Sequence, residues 1–348
     1  MPLSKPLIQW YSQNKRVLPW RLTANPYNIW LSEIILQQTT VAQGLPYYNK
    51  FTDTFKTLED LANADEEFVL KQWQGLGYYS RARNLLATAR YISNNLKGQF
   101  PDNYKDLLTL KGIGPYTAAA IASICYNEPV AVLDGNVFRV LARYFNIDTP
   151  INSPKGIKEF KILSQSLISL KEPATFNQAI MELGALVCKP NNPDCQNCPI
   201  NNGCLALKNK NQSKLPVKLK KLKIKKRFFN YLFIQTDLNT SLLNKRIHKG
   251  IWHNLYEFPL IETLTSTNIS ELINHPDFLK LFNQEHPLKI SCFNQKEIVH
   301  KLTHQHIYTK FWIIKTTQHP KATIPVSELN KYPVPTLIHN FLEAINLS

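Results

Sequence analysis

The sequence predicts two domains of different class: a mostly α-helical amino-terminal domain and a smaller α+β carboxy-terminal one. Three observations carry this. Up to about residue 207 the apolar spacing is helical, as in NVFRVLARYF, where Val137, Val140, Leu141, Tyr144 and Phe145 share one face. Beyond residue 227, YLFIQT and HQHIYTKFWIIKT alternate and are rich in aromatic and β-branched residues, which pack well on a pleated sheet. Between them KNKNQSKLPVKLKKLKIKKR carries ten basic residues and no acidic one. Like charges repel, so this run reads as an extended linker or as a strap along a phosphate backbone. The expected boundaries are therefore 1–207 for the helical domain, 208–227 for the linker and 228–348 for the α+β domain. A chain of 348 residues is long enough for two separate cores.

Charge narrows the partner. Lys and Arg total 41 against 25 Asp and Glu, a formal net charge of +16, with a pI near 9.5. Such an excess favours a polyanion without choosing among DNA, RNA and anionic lipid. No apolar run is long enough to span a bilayer, and MPLSKPLIQWYSQNKRVLPW has no apolar signal core. The expectation is a cytoplasmic protein with no membrane role. Only Cys125 and Cys292 fall outside one cysteine cluster, so no disulfide framework is expected, in keeping with a reducing compartment.

That cluster is a metal-site pattern. Cys188, Cys195, Cys198 and Cys204 are spaced Cys-x6-Cys-x2-Cys-x5-Cys in a loop, 188–204, that has little else to bury. Zinc, an iron–sulfur cluster and a disulfide pair all remain open on spacing alone. The preceding FNQAIMELGALVC has a helical stripe of Phe176, Ile180, Leu183 and Val187 that ends at the first cysteine.

Two carboxylates stand out for chemistry. Glu33 is the only charged residue between Leu22 and Asn49, in the apolar helical stretch PYNIWLSEIILQQTTV, with Ile29 and Gln37 one turn to either side. Most helix glutamates are solvated, but these neighbours predict partial burial, which raises a carboxyl pKa and makes it a usable acid near neutrality. Asp134, in AVLDGNVFRVLARYF, precedes an amphipathic helix and reads first as an N-cap, a role that leaves catalysis open. Between them lies LLTLKGIGPYTAAAIASI, with apolar helical stretches flanking Gly112-Ile113-Gly114 near 107–126. Such glycines allow a tight turn and bring backbone N–H groups and a helix N-terminus close to an anion.

The four-cysteine loop, the hairpin and the aspartate beyond it resemble the helix-hairpin-helix DNA glycosylase superfamily. LPWR at 18–21, PYNIWLSEIILQQTTV at 26–41, GLGYYSRARNL at 75–85, LKGIGPYTAAAI at 110–121 and LDGNVFRVLAR at 133–143 are similar to its adenine-specific mismatch glycosylases, the MutY family. In the tail, GIWHNLYEFP at 250–259 and HKLTHQHIY at 300–308 resemble that family's Nudix-like domain. The resemblance implies a helix-hairpin-helix glycosylase fold with an iron–sulfur loop, one [4Fe-4S] cluster on the four cysteines, and a carboxy-terminal Nudix-like domain. It implies base excision repair on duplex DNA with adenine opposite 8-oxoguanine or guanine, by a monomer associated with the bacterial nucleoid.

By the same resemblance Glu33 is the proton donor, Asp134 the carboxylate facing the sugar, and Asn136 its helper. Tyr116 stands where bifunctional lyases carry a Schiff-base lysine, which implies a monofunctional enzyme. Gln38 and Tyr78 would wedge into the duplex, while Gly112, Gly114, Thr117 and Lys189 would hold its backbone. Thr303 and His304 would read the oxidised guanine, although Leu302-Thr303-His304 replaces the family's usual Phe-Ser-His. No Arg-Glu-x2-Glu-Glu cluster is present, so nucleotide hydrolysis is not expected. Two rivals remain: an endonuclease III-like pyrimidine glycosylase and lyase, and a non-catalytic iron–sulfur sensor that only binds DNA.

Overall fold

The computed structural model describes residues 3–219, 224–282, 288–320 and 322–346. The chain divides into two compact units, Met1–Asn63 with Asn84–Lys220, and Ala64–Arg83 with Lys221–Ser348. Among the described residues no helix is long and apolar enough to cross a membrane.

The first unit is helical. Its central helix, Pro26–Ile35, starts with proline at N1 and with the Asn25 side chain accepting from Tyr27 N–H. Eight of its residues, including Glu33, are buried, as expected of a helix apolar on nearly every face. It packs on Pro115–Tyr126, whose small residues Ala118, Ala119, Ala120 and Ala122 permit close approach. It also ends sooner than the apolar run suggests: Gln37 lies in the turn after Ile35, one step past the ladder. Helices Gly135–Tyr144 and Pro173–Leu186 complete a core of Leu7, Val137, Leu141, Phe160, Phe176 and Leu183.

Much of the basic run is ordered against this unit. Leu215 is buried, Ile151 N–H donates to Val217 O at 3.0 Å, and Leu219 N–H to Asn152 Oδ1 at 2.8 Å. Lys225, Lys226 and Arg227 open the first strand of the second unit. Of the expected extended linker over 208–227, residues 208–219 and 224–227 thus belong to the two units, and residues 220–223 lie outside the described residues.

Among the described residues the second unit is built on a five-stranded sheet. Its two long strands, Lys225–Thr236 and Gln305–Thr316, run parallel at the centre, in register from Lys225 opposite Gln305 to Thr236 opposite Thr316. Leu260–Thr263 pairs antiparallel on one side, and Leu288–Cys292 and Ile298–Lys301 on the other. Strand alternation sends Leu232, Ile234, Trp312 and Ile314 into one core with Leu272, Phe278 and Phe282. On the other face Tyr231, Phe233 and Phe311 meet rings that include Phe258 and Phe341, the last stacked on Phe311 at 4.3 Å. Both faces are covered, as a sheet with a parallel centre requires.

One segment crosses the expected boundary. Residues 64–83, read from sequence as part of an unbroken helical domain, pack with the second unit. Glu66 accepts from Asn254 Nδ2, Glu67 accepts from Lys245 Nζ at 2.6 Å and Tyr256 Oη at 2.8 Å, and Arg83 donates to His253 O at 2.7 Å.

Candidate active site

A cavity of about 470 Å³ in the first unit is lined by Glu33, Tyr116, Asp134 and Asn136, which come from three separate stretches of the sequence. Arg16, Trp20, Arg21, Gln178, Met181 and Glu182 complete much of its wall. Glu33 is 9% exposed. Burial pushes its carboxyl up to about 7; the Tyr116 hydroxyl opposes that, Asp134 reinforces it, and Arg21 pulls it back. The Tyr116 hydroxyl also lies 3.2 Å from Met181 Sδ. It has one proton to give, and an ionised carboxylate is a far better acceptor than a thioether, so Glu33 takes that bond when charged.

Asp134 is the N-cap of Gly135–Tyr144. Its Oδ1 accepts from Asn136 N–H at 3.0 Å and Val137 N–H at 2.8 Å, and its Oδ2 from Asn136 Nδ2 at 2.8 Å. Burial raises its pKa and these three donors lower it. Capping thus uses mainly one oxygen, while the carboxylate still faces the cavity that holds Glu33.

Sequence reasoning passed over Glu182, Arg16 and Arg21. Glu182 is 1% exposed and takes five hydrogen bonds of 2.6–3.0 Å, three from Arg16 and two from Arg21. Burial alone would raise its pKa, but the two guanidinium groups outweigh it and hold the carboxyl at about 2. The signal was the one that singled out Glu33: Glu182 is the only charge between Glu172 and Cys188. One cavity therefore holds a carboxyl poised near neutrality and another that stays ionised around neutral pH.

Arg139 connects this cavity to the cysteine loop. Its Nη2 donates to Asn136 Oδ1 at 2.9 Å and Gly184 O at 2.7 Å, and its Nε to Cys188 O at 2.6 Å. Arg143, 2% exposed, donates to Lys189 O, Pro190 O, Gln212 O and Leu215 O. The helix Pro173–Leu186 ends two residues before Cys188. All four cysteines are free and line a single small cavity of about 30 Å³. Among the described residues, no three His, Cys, Asp or Glu side chains are arranged to hold one metal ion.

The hairpin is shorter than its apolar flanks suggest, with a one-turn helix Tyr104–Leu107 before the turn and Pro115–Tyr126 after it. Gly112 has φ +79°, and a Cβ there would come within 2.7 Å of Asn84 Cβ, so glycine is required. Gly114 is the N-cap of the second helix, no side chain caps that end, and both glycines are exposed. The helix N-terminus is thus open to an anion. Thr117 departs from expectation: it is 1% exposed and its hydroxyl accepts from Gln37 Nε2 at 3.4 Å, so it packs inside instead of touching a backbone. Gln38 is exposed in the turn after Pro26–Ile35 with φ 56°, and Lys189 is exposed in the cysteine loop.

Residues 31–164 match the HhH-GPD superfamily of base excision DNA repair proteins, and residues 230–344 the NUDIX domain. A protein of Buchnera aphidicola subsp. Baizongia pistaciae named adenine DNA glycosylase is 35% identical over 311 residues, 88% of this chain and 85% of that protein. The chain belongs to the adenine DNA glycosylase family. The Homo sapiens adenine DNA glycosylase is 43% identical over 218 residues, 60% of this chain and 40% of that protein. Among solved structures, a thermostable thymine-DNA glycosylase aligns with a TM-score of 0.55 at 29% identity, covering 59% of this chain and 95% of that one. An endonuclease III–DNA complex aligns at 0.51 and 20% identity, over 59% and 94%, which is likeness of fold alone.

In this adenine DNA glycosylase family member, the NUDIX-matching unit holds the other expected site residues. Thr303 and His304 are the two exposed turn residues of a β-hairpin closed by Leu302 N–H donating to Gln305 O at 2.9 Å. Tyr78, φ +48° and 47% exposed, sits in the same unit, with its hydroxyl 3.2 Å from Thr303 Oγ1. The structure thus brings Tyr78 and Thr303 together, as it does Glu33, Tyr116, Asp134 and Asn136.

Proposed function

We propose that this chain excises adenine opposite 8-oxoguanine or guanine in duplex DNA, as a monofunctional glycosylase of base excision repair. The observation that carries this is Glu33, a buried carboxyl poised at about 7, facing Asp134 and Tyr116 in a cavity with no lysine among its described lining residues. The adenine is flipped out of the stack into that cavity. Neutral Glu33 gives its proton to a ring nitrogen of the base, and the N-glycosidic bond breaks with its electron pair leaving on adenine. Positive charge develops on the sugar, where Asp134, held by Asn136, stabilises it. Water adds at the anomeric carbon and loses a proton to the ionised Glu33, which restores the acid. Arginine does not deprotonate near neutral pH, so Arg16 and Arg21 are no substitute for a Schiff-base lysine. Their pairing holds Glu182 ionised on the wall, with both of its oxygens filled by arginine donors.

The four cysteines suit one [4Fe-4S] cluster. Four soft thiolate donors from one short loop line a single small cavity, the donor set that an iron–sulfur cluster takes. Bound there, the cluster would cross-link the loop through iron–thiolate bonds. The chain's own part is to hold that loop with Arg139 and Arg143 and so present Lys189 to a backbone phosphate, alongside the exposed hairpin glycines 112 and 114. Gln38 and Tyr78 are the proposed wedges, and Thr303 and His304 the readers of the oxidised guanine. The partner is damaged duplex DNA met by a monomer, in a cytoplasmic, nucleoid-associated setting.

Duplexes carrying adenine opposite 8-oxoguanine, adenine opposite guanine, and thymine glycol test this when free base and strand breaks are assayed separately. Adenine release without breaks is expected. Release of thymine glycol with spontaneous nicking would move the chain to the endonuclease III type, and tight binding with no base release would make it a sensor.

A further inference from the structure

We infer that Tyr79 is a positioning residue for opposite-base discrimination, acting through Tyr78 and Thr303; this rests on the proposed reading of Thr303. The loop 75–79 turns through three residues with left-handed backbone: Gly75 at φ 103°, Gly77 at 71° and Tyr78 at 48°. Its carbonyls are stapled from within, since Trp73 Nε1 donates to Gly77 O at 3.0 Å and Arg81 Nη2 to Leu76 O and Gly77 O at 3.2 Å. The consequence is that adjacent tyrosines point opposite ways. Tyr78 is 47% exposed and meets Thr303, whereas Tyr79 is 4% exposed and its hydroxyl donates to Val334 O at 3.1 Å.

Val334 is gripped from both sides, because its N–H donates to Gln74 Oε1 at 3.2 Å. The backbone at 334 therefore anchors the two ends of the loop that carries Tyr78. All these contacts lie within one compact unit, the one that also carries the Thr303–His304 turn. Tyr78 and Thr303 are separated by 225 residues, and their 3.2 Å contact survives only if the loop keeps its pitch on the sheet unit. The Tyr79 hydroxyl, buried and bonded to Val334 O, is the contact best placed to set that pitch. Its loss leaves the ring packed and the fold intact, but lets the Tyr78 loop move relative to Thr303.

The test compares full-length, cluster-loaded wild type with Tyr79→Phe, Gln74→Ala, Thr303→Ala and the Tyr79→Phe/Thr303→Ala pair. Each is assayed for single-turnover excision and binding on adenine opposite 8-oxoguanine and opposite guanine. Tyr79→Phe should cut the preference for 8-oxoguanine by about 2- to 10-fold, the scale of one net hydrogen bond, with excision opposite guanine falling less than excision opposite 8-oxoguanine. Gln74→Ala should shift the ratio the same way. In the Thr303→Ala background, Tyr79→Phe should change the ratio no further. A purely structural role would lower both substrates together. If Thr303→Ala lowers the ratio and Tyr79→Phe does not, or if the two losses multiply, the positioning role is overturned. If Thr303→Ala leaves the ratio at wild type, the assignment of Thr303 falls, and the Tyr79 proposal with it.

Discussion

Replacing Glu33 by glutamine should abolish excision and, separately, make the protein more stable in a pH window set by the site itself. The carboxyl sits at about 7 in the folded chain against an ordinary 4.5 in the unfolded one. Below pH 4.5 it is neutral in both states and contributes no pH dependence. Between 4.5 and 7 the folded state keeps a proton that the unfolded state has lost, so stability falls as pH rises, by about 1.4 kcal/mol per unit. Above 7 both states are ionised and the loss levels off at about 3 kcal/mol. Glutamine never ionises, so the stability difference, Glu33→Gln minus wild type, should grow by about 3 kcal/mol from pH 4.5 to 7 and then stay flat. Urea unfolding of the two chains side by side at pH 4.5, 5.5, 6.5, 7.5 and 8.5 measures it, since titrating groups that do not interact with Glu33 cancel in the difference. In single-turnover excision, wild type should lose about tenfold in rate per pH unit above 7, and Glu33→Gln should lose about 10²-fold or more at neutrality. Duplex binding by the mutant should persist. A stability difference flat with pH would refute the raised pKa, and near wild-type excision by the mutant would refute the acid assignment.

Anaerobically purified protein should be brown and carry about four irons per chain with acid-labile sulfide, and Cys198→Ser should lower soluble yield or DNA affinity; stoichiometric zinc without iron would contradict the cluster. Borohydride should trap little covalent DNA adduct, with strand cleavage waiting on added alkali, because Tyr116 faces the cavity where a lyase needs an amine. Abundant trapping would mean that a lysine from elsewhere reaches the sugar. Thr303→Ala with His304→Ala should reduce the preference for 8-oxoguanine over guanine by about 1–3 kcal/mol while leaving the salt dependence of binding unchanged, since the exposed Lys214 and Lys218 remain. An unchanged ratio would mean that this turn does not read the oxidised base. The substitutions are the better probe here than a chain cut near Lys210, which would strip buried Leu215 from the helical unit and leave residues 64–83 without the unit they pack in.

What the sequence by itself determined is whatever a short window of residue types can encode. Helical spacing around Val137 and Leu141, and alternation around Phe233 and Phe311, separate the two fold classes because periods of 3.6 and 2 are written directly in the order of side chains. A lone charge in an apolar helix marked Glu33, the cap position marked Asp134, and four closely spaced cysteines had to converge within one loop. Only the tertiary structure decided matters that depend on distant pairs. Glu182 differs from Glu33 not in its local sequence but in meeting Arg16 and Arg21, more than 160 residues away, which sends one carboxyl to about 2 while the other rises to about 7. Thr117 looked like part of the hairpin's grip until helix packing turned it inward toward Gln37. The assignment of 64–83 to the sheet unit, and with it the contact between Tyr78 and Thr303, rests on hydrogen bonds closing loops of well over a hundred residues. Nothing in a local window distinguishes a helix that packs on its sequence neighbours from one that packs on a sheet formed much later in the chain, because burial and charge pairing are properties of the folded surroundings.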